Sequence, residues 1–153
     1  MNAAAQTARA WVALTVALAV HVADEALNGF LSVYNPVVLN LRSHIPWLPL
    51  PVFRFDLWLA GLIGAVIALL CLPCIIATES KWMARASVLF AVLMIANGMM
   101  HFAGSAFFGR WMPGVYSSPL LLVSAAWLLA SALRQLREPT LTVKVKRHVA
   151  VSF

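Results

Sequence analysis

The chain has 153 residues, 63% of them hydrophobic and 10% charged, with a mean hydropathy of +0.89. Soluble domains carry about a quarter charged residues, so these proportions exclude a soluble globular protein and point to one polytopic membrane bundle. The net charge of +6 is no sign of nucleic-acid binding, because the basic residues stand at the ends of apolar spans and in the C-terminal tail, where lipid head groups and the insertion machinery meet them.

Four apolar stretches are long enough to cross a hydrocarbon core of about 30 Å: residues 10–31, 57–77, 84–108 and 115–133. The expected fold is all-α, a four-span transmembrane helix bundle over residues 1–138 with a basic cytoplasmic tail over 139–153. Arg9, Lys81, Arg85, Arg134, Arg137, Lys144, Lys146 and Arg147 fall on one side, and Arg42, Arg54 and Arg110 on the other. Eight against three places both termini in the cytoplasm of a cell-membrane protein. Cleavage of the first span as a signal peptide near Ala23 is not expected, because His21 would occupy a position that calls for a small residue.

Between the first two spans, residues 32–55 hold Pro36, Pro46, Pro49 and Pro51 with Tyr34, Trp47, Phe53 and Phe55. Proline breaks helices and aromatics settle at head-group depth. An ordered outer interfacial cap is therefore expected, with a short helix over Val37–His44. Residues 109–114 (Gly-Arg-Trp-Met-Pro-Gly) read as a tight turn. The tail alternates Thr, Leu, Val and Lys; a strand or a lipid-bound segment fits this pattern, and a solvated basic tail fits it better.

The informative residues are polar ones inside the spans. His21, Asp24 and Glu25 sit in an otherwise apolar first span, where each carboxylate costs about 2.5–3.5 kcal/mol on insertion scales unless partnered. His21 and Glu25 are four residues apart and share a face, with Asp24 and Asn28 flanking it. Asn97 and His101 make a second such pair in the third span. At 1.5 Å per residue both pairs lie at similar depth in the outer half of the bilayer. Antiparallel packing of the first and third spans is expected to gather His21, Asp24, Glu25, Asn97 and His101 at one point, near Asp56, Tyr116, Ser117 and Ser118.

Two imidazoles and two carboxylates at this spacing are the raw material of a bundle metal site. His21, Glu25 and His101 are the expected ligands, and imidazole with oxygen suits a divalent metal such as Zn or Fe without choosing between them. Without a metal, the same groups serve as general acid and base. The simpler alternative is a set of interhelical hydrogen bonds worth about 1 kcal/mol each, but so many polar residues at one depth favour a site. Cys71-Leu72-Pro73-Cys74 is a CxxC, placed at the cytoplasmic end of its span where outward-facing redox exchange does not fit. Met94, Met99 and Met100 near His101 read as packing rather than copper ligands.

The stretch His21-x-x-Asp24-Glu25 at the end of a first apolar helix resembles the motif of the HXXEE-domain family of small multi-pass membrane proteins. Tyr34-Asn35-Pro36, Asn97-x-x-x-His101 and Arg110-Trp111-x-Pro113-Gly114 with Tyr116 extend the resemblance across residues 20–130. Asp24 departs from the motif by one methylene. The resemblance implies no particular reaction.

The expected function is a membrane enzyme, a proton-transfer or metal-assisted isomerase, cyclase or hydrolase, acting on an apolar lipid-like small molecule. Glu25, Asp24, His21 and His101 are the expected catalytic residues, with Asn97, Tyr116, Ser117 and Asn28 on the substrate. Membrane lipids are the expected surroundings, nucleic acid is not a partner, and homo-oligomers are left open. A proton- or metal-coupled transporter is one alternative, opposed by the scarcity of polar residues in the cytoplasmic half; a structural or assembly subunit is the other.

Overall fold

The computed structural model describes residues 2–75 and 79–138, and among them every regular element is helical. The expectations for the tail over 139–153 lie outside the described residues. Helix α1 spans Ala3–Leu27, α2 Leu31–His44, α3 Phe55–Ile75, α4 Lys81–Phe108 and α5 Ser118–Arg137. Of these, α1, α3, α4 and α5 are long and apolar enough to cross a membrane.

Side-chain caps set the starts of α1 and α4. Asn2 Oδ1 accepts from the Ala5 amide at 2.8 Å, and Ser80 Oγ accepts from the Trp82 amide at 3.1 Å, each relieving a donor that the first turn leaves orphaned. Gly109, with φ +62°, closes α4 in the left-handed conformation that a glycine adopts without strain. The first span begins and ends earlier than its hydropathy suggests, since Asn28 and Gly29 turn the chain out of α1 after Leu27.

The cap is ordered, as its aromatics imply. Its helix, α2, is longer than the Val37–His44 expected, starting at Leu31 and carrying Pro36 within it. Asn35 clasps the extended segment before α3: its Nδ2 donates to the Phe53 carbonyl at 2.9 Å, and its Oδ1 accepts from the Phe53 amide at 3.1 Å. A row of rings, Phe30 on Tyr34 and Phe30 on Trp58, ties the cap to α3.

The core lies where α1, α4 and α5 meet, built from Ala10, Trp11, Leu14 and Ala17 with Met83, Phe90, Ala91, Leu121, Ala125 and Leu128. Alanines at the contacts let the backbones approach closely, which is how helices gain packing energy in lipid. Helix α3 rests chiefly on α1 and leaves most of its surface outward. An interhelical bond helps to hold it there. Pro73 has no N–H to return to the Leu69 carbonyl one turn back, and the Trp11 indole N–H donates to that carbonyl at 2.7 Å.

The direction of packing corrects one expectation. Trp11 meets Phe90 at 4.8 Å between ring centroids, and His21 meets His101 at 4.7 Å. Moving up α1 by ten residues therefore means moving up α4 by eleven, so the first and third spans run parallel. A single span, α3, separates them and returns the chain to the side from which α1 began, so α4 repeats the direction of α1.

Candidate functional site

The polar cluster forms at the C-terminal ends of α1 and α4, under the turn that leads into α5. His21, Glu25 and His101 are all buried. The two Nε2 atoms stand 3.1 Å apart. Glu25 Oε1 is 3.2 Å from His101 Nε2 and 3.7 Å from His21 Nε2. Asn97, half-buried on α4, brings its Nδ2 to 3.0 Å from His21 Nε2.

Hydrogen-bond directions determine which nitrogen of His21 faces the cluster. Asp24 Oδ2 accepts from the Ser117 amide at 2.9 Å and from the Ser117 hydroxyl at 2.7 Å. A hydroxyl has one proton, so once Ser117 Oγ has donated to Asp24 it can only accept from His21 Nδ1, 2.8 Å away. His21 thus carries its proton on Nδ1 and presents the Nε2 lone pair to Asn97, His101 and Glu25. This is the arrangement by which a second layer of partners orients metal-binding histidines, here with a serine inserted between carboxylate and imidazole. Asn28 completes the layer, donating to Asp24 Oδ1 at 2.7 Å.

Glycine shapes the wall behind His101. Gly114 has φ +88°, and a Cβ there would stand 2.6 Å from His101 Cε1 and 2.8 Å from Nδ1. The turn therefore passes flat against the imidazole, as only glycine permits. Phe30 covers the ring on another side at 6.0 Å between centroids.

The three inward atoms of His21, Glu25 and His101 form a group that could hold a metal ion. The three donor atoms stand 3.1–3.7 Å from one another, a spacing at which one ion would be held by all three at bonds of about 2.0–2.2 Å. The donor set of two imidazoles and one carboxylate is that of catalytic zinc and of non-haem iron sites. Without an ion the same groups satisfy each other, with the Asn97 amide donating to His21 Nε2 and His101 Nε2–H facing Glu25 Oε1.

The sequence-based residues divide by place. His21, Glu25, His101 and Asn97 converge, while Asp24 and Ser117 brace them from behind. Asn28, bonded to Asp24, and Tyr116 lie further out, exposed, and line a surface cavity. Asp56 is apart from the cluster, exposed and paired with Arg54 at 2.8 Å. Sequence reasoning gave Gly114 a place only in the turn and the family resemblance, and gave Phe30 none. A Pro-Gly pair opening a helix marks a turn, but nothing local says which ring will lie against it. Cys71 and Cys74 are exposed free cysteines at the opposite end of the bundle.

Fold and site together define an all-helical bundle with four helices long and apolar enough to cross a membrane and a buried His/Glu cluster at one end. Residues 11–128 match the family described as a protein of unknown function with HXXEE motif, and the chain belongs to it. Its own motif reads His21-Val22-Ala23-Asp24-Glu25. No curated protein and no solved structure gives a significant match.

Proposed function

We propose that the chain is a membrane-embedded enzyme that uses His21, Glu25 and His101, with or without a divalent metal, to move a proton on an apolar lipid-like substrate. The observation that carries this reading is the convergence of His21 Nε2, His101 Nε2 and Glu25 Oε1 within 3.7 Å of one another, with His21 Nδ1 at 2.8 Å from the Ser117 hydroxyl behind it. Asp24 and Ser117 spend three hydrogen bonds on turning His21 so that its Nε2 faces a buried carboxylate and a second imidazole. Adhesion between helices needs no such aim. The buried Thr7, Thr15 and Ser87 bond back to carbonyls of their own helices at 2.8–3.0 Å, whereas the cluster's contacts run between α1, α4 and the turn before α5.

In this reading Glu25 gives or takes the proton, His101 exchanges it, and Asn97 orients the reacting group. A bound zinc or iron would be held by His21, Glu25 and His101 and would supply Lewis acidity there. Isomerisation, cyclisation and hydrolysis all begin in this way. Substrate would enter sideways from the bilayer, since α3 leans on α1 and covers little else. By the positive-inside count the cluster faces the outer leaflet with both termini cytoplasmic. A transporter would need a polar relay through the other half of the bundle, where the buried hydroxyls of Thr7, Thr15 and Ser87 are engaged by their own helices.

The test is Glu25→Gln, which keeps shape and hydrogen bonding but removes the charge. Detergent-purified wild type and variant are compared for thermal unfolding, zinc and iron content, and conversion of extracted membrane lipids. A folded variant that loses metal or conversion supports the proposal. Full retention of both, together with a stoichiometric partner protein that co-purifies, would make the chain an assembly subunit.

A further inference from the structure

A cavity of about 180 Å³ opens at the same end of the bundle, between the end of α1, the start of α2 and the turn before α5. It lies apart from the His/Glu cluster: Met112 faces the cavity, while Gly114, two residues on, packs against His101. At about 30 Å³ per water it has room for about six, the size of a head group and not of an acyl chain.

Its polar lining is sorted by sign. Arg110, Trp111 and Tyr116 bring N–H and O–H groups. Among the described residues the Arg110 guanidinium has neither a carboxylate partner nor a side-chain hydrogen bond, and Tyr116 stacks on Trp111 at 6.1 Å. Across the cavity stand Asn28 and Ser32, whose protons are already used. Asn28 Nδ2 donates to the Asp24 carbonyl and carboxylate at 2.9 and 2.7 Å, and the Ser32 hydroxyl donates to the Gly29 carbonyl at 2.7 Å. These two therefore offer lone pairs only. The acid nearest this wall, Asp24, is screened by three donors, two from Ser117 and one from Asn28.

We infer that this cavity binds an anionic lipid head group that also carries hydroxyls, a phosphoglycerol being the simplest such group in a membrane. The phosphate pairs with Arg110, whose planar fork suits it, and takes further donors from Tyr116 and Trp111. The hydroxyls donate to Asn28 and Ser32. A choline head group has no proton to give those oxygens and brings a cation towards Arg110. The site stands on the cavity alone and does not depend on the chemistry proposed for His21, Glu25 and His101.

The full chain in a neutral detergent is titrated with single-chain phospholipids of one acyl length carrying phosphoglycerol, bare phosphate or phosphocholine, and with glycerol phosphate alone. Thermal shift and native mass spectrometry read the binding. The phosphoglycerol lipid should bind saturably at one per chain and at least tenfold more tightly than the phosphocholine lipid. Arg110→Gln should remove that preference, Tyr116→Phe should weaken it, and Arg42→Gln, which changes an exposed arginine on the cap, should leave it intact. Equal binding of all three lipids, or equal loss in Arg110→Gln and Arg42→Gln, would reduce the effect to general attraction at the interface and overturn the site. Glycerol phosphate binding as tightly as the lipid would make a free anion the ligand and overturn the lipid assignment. Because binding is read directly, these outcomes are independent of whether Glu25→Gln loses metal or conversion.

Discussion

Replacing Gly114 by alanine tests how the His101 wall is built. The new methyl would lie 2.6 Å from His101 Cε1, 2.8 Å from Nδ1 and 3.0 Å from Nε2. Carbon atoms pack best at about 3.5–4.0 Å, so the ring must retreat by about 1 Å or the turn must open. These are atoms of a stiff ring held between Phe30 and Glu25, not the loose end of a flexible chain. Overpacking of this kind costs about 1–3 kcal/mol, and placing alanine at φ +88° adds about 1–2 kcal/mol. Gly114→Ala should therefore lose about 2–5 kcal/mol of stability, seen as a lower unfolding temperature in detergent. The 3.1 and 3.2 Å contacts of His101 Nε2 should break with it, so metal binding or activity should fall even in protein that remains folded. Gly61→Ala and Gly64→Ala are the controls. Both lie in α3 with nothing within 4 Å of a Cβ, and each should be neutral or gain up to about 1 kcal/mol from helix propensity. If Gly114→Ala behaves like these two, the close packing of turn on imidazole is refuted.

Three further outcomes are expected. Trp11→Phe should cost about 1 kcal/mol by orphaning the Leu69 carbonyl, and less in a Pro73→Ala background, where the restored N–H takes the indole's place; thermal unfolding of the four proteins in this cycle measures the coupling. Ser117→Ala should leave the protein folded but free the tautomer of His21, lowering zinc affinity by about 10–100-fold; titration of purified variant and wild type with zinc checks it, and unchanged binding would remove Ser117 from the site. A reporter fused after Phe153 should read cytoplasmic and one inserted near His44 external; an external C-terminus would invert the orientation and move the cluster to the inner leaflet.

Much of the architecture was legible from the chain, because a bilayer leaves few choices. Apolar runs of sufficient length become spans since backbone polar groups have no water to turn to, and Gly109 and the Pro-Gly turn marked where α4 and α5 part. The residues of the site were legible for the same reason: His21, Asp24, Glu25, Asn97 and His101 are costly in lipid and therefore conspicuous. Their division of labour was not. Helical spacing places His21 and Glu25 on one face, but it does not say that Ser117, 96 residues away, will accept from His21 Nδ1 and so decide which nitrogen looks inward. Nor does it reveal that His21 Nε2 meets His101 Nε2 at 3.1 Å, or that Gly114 lies flat on that ring, or that Tyr116 and Asn28 line a separate cavity. Local sequence sets which groups must find partners. Only the packing of α1 against α4 and α5, which fixes rotation and relative depth together, decides which partners they find.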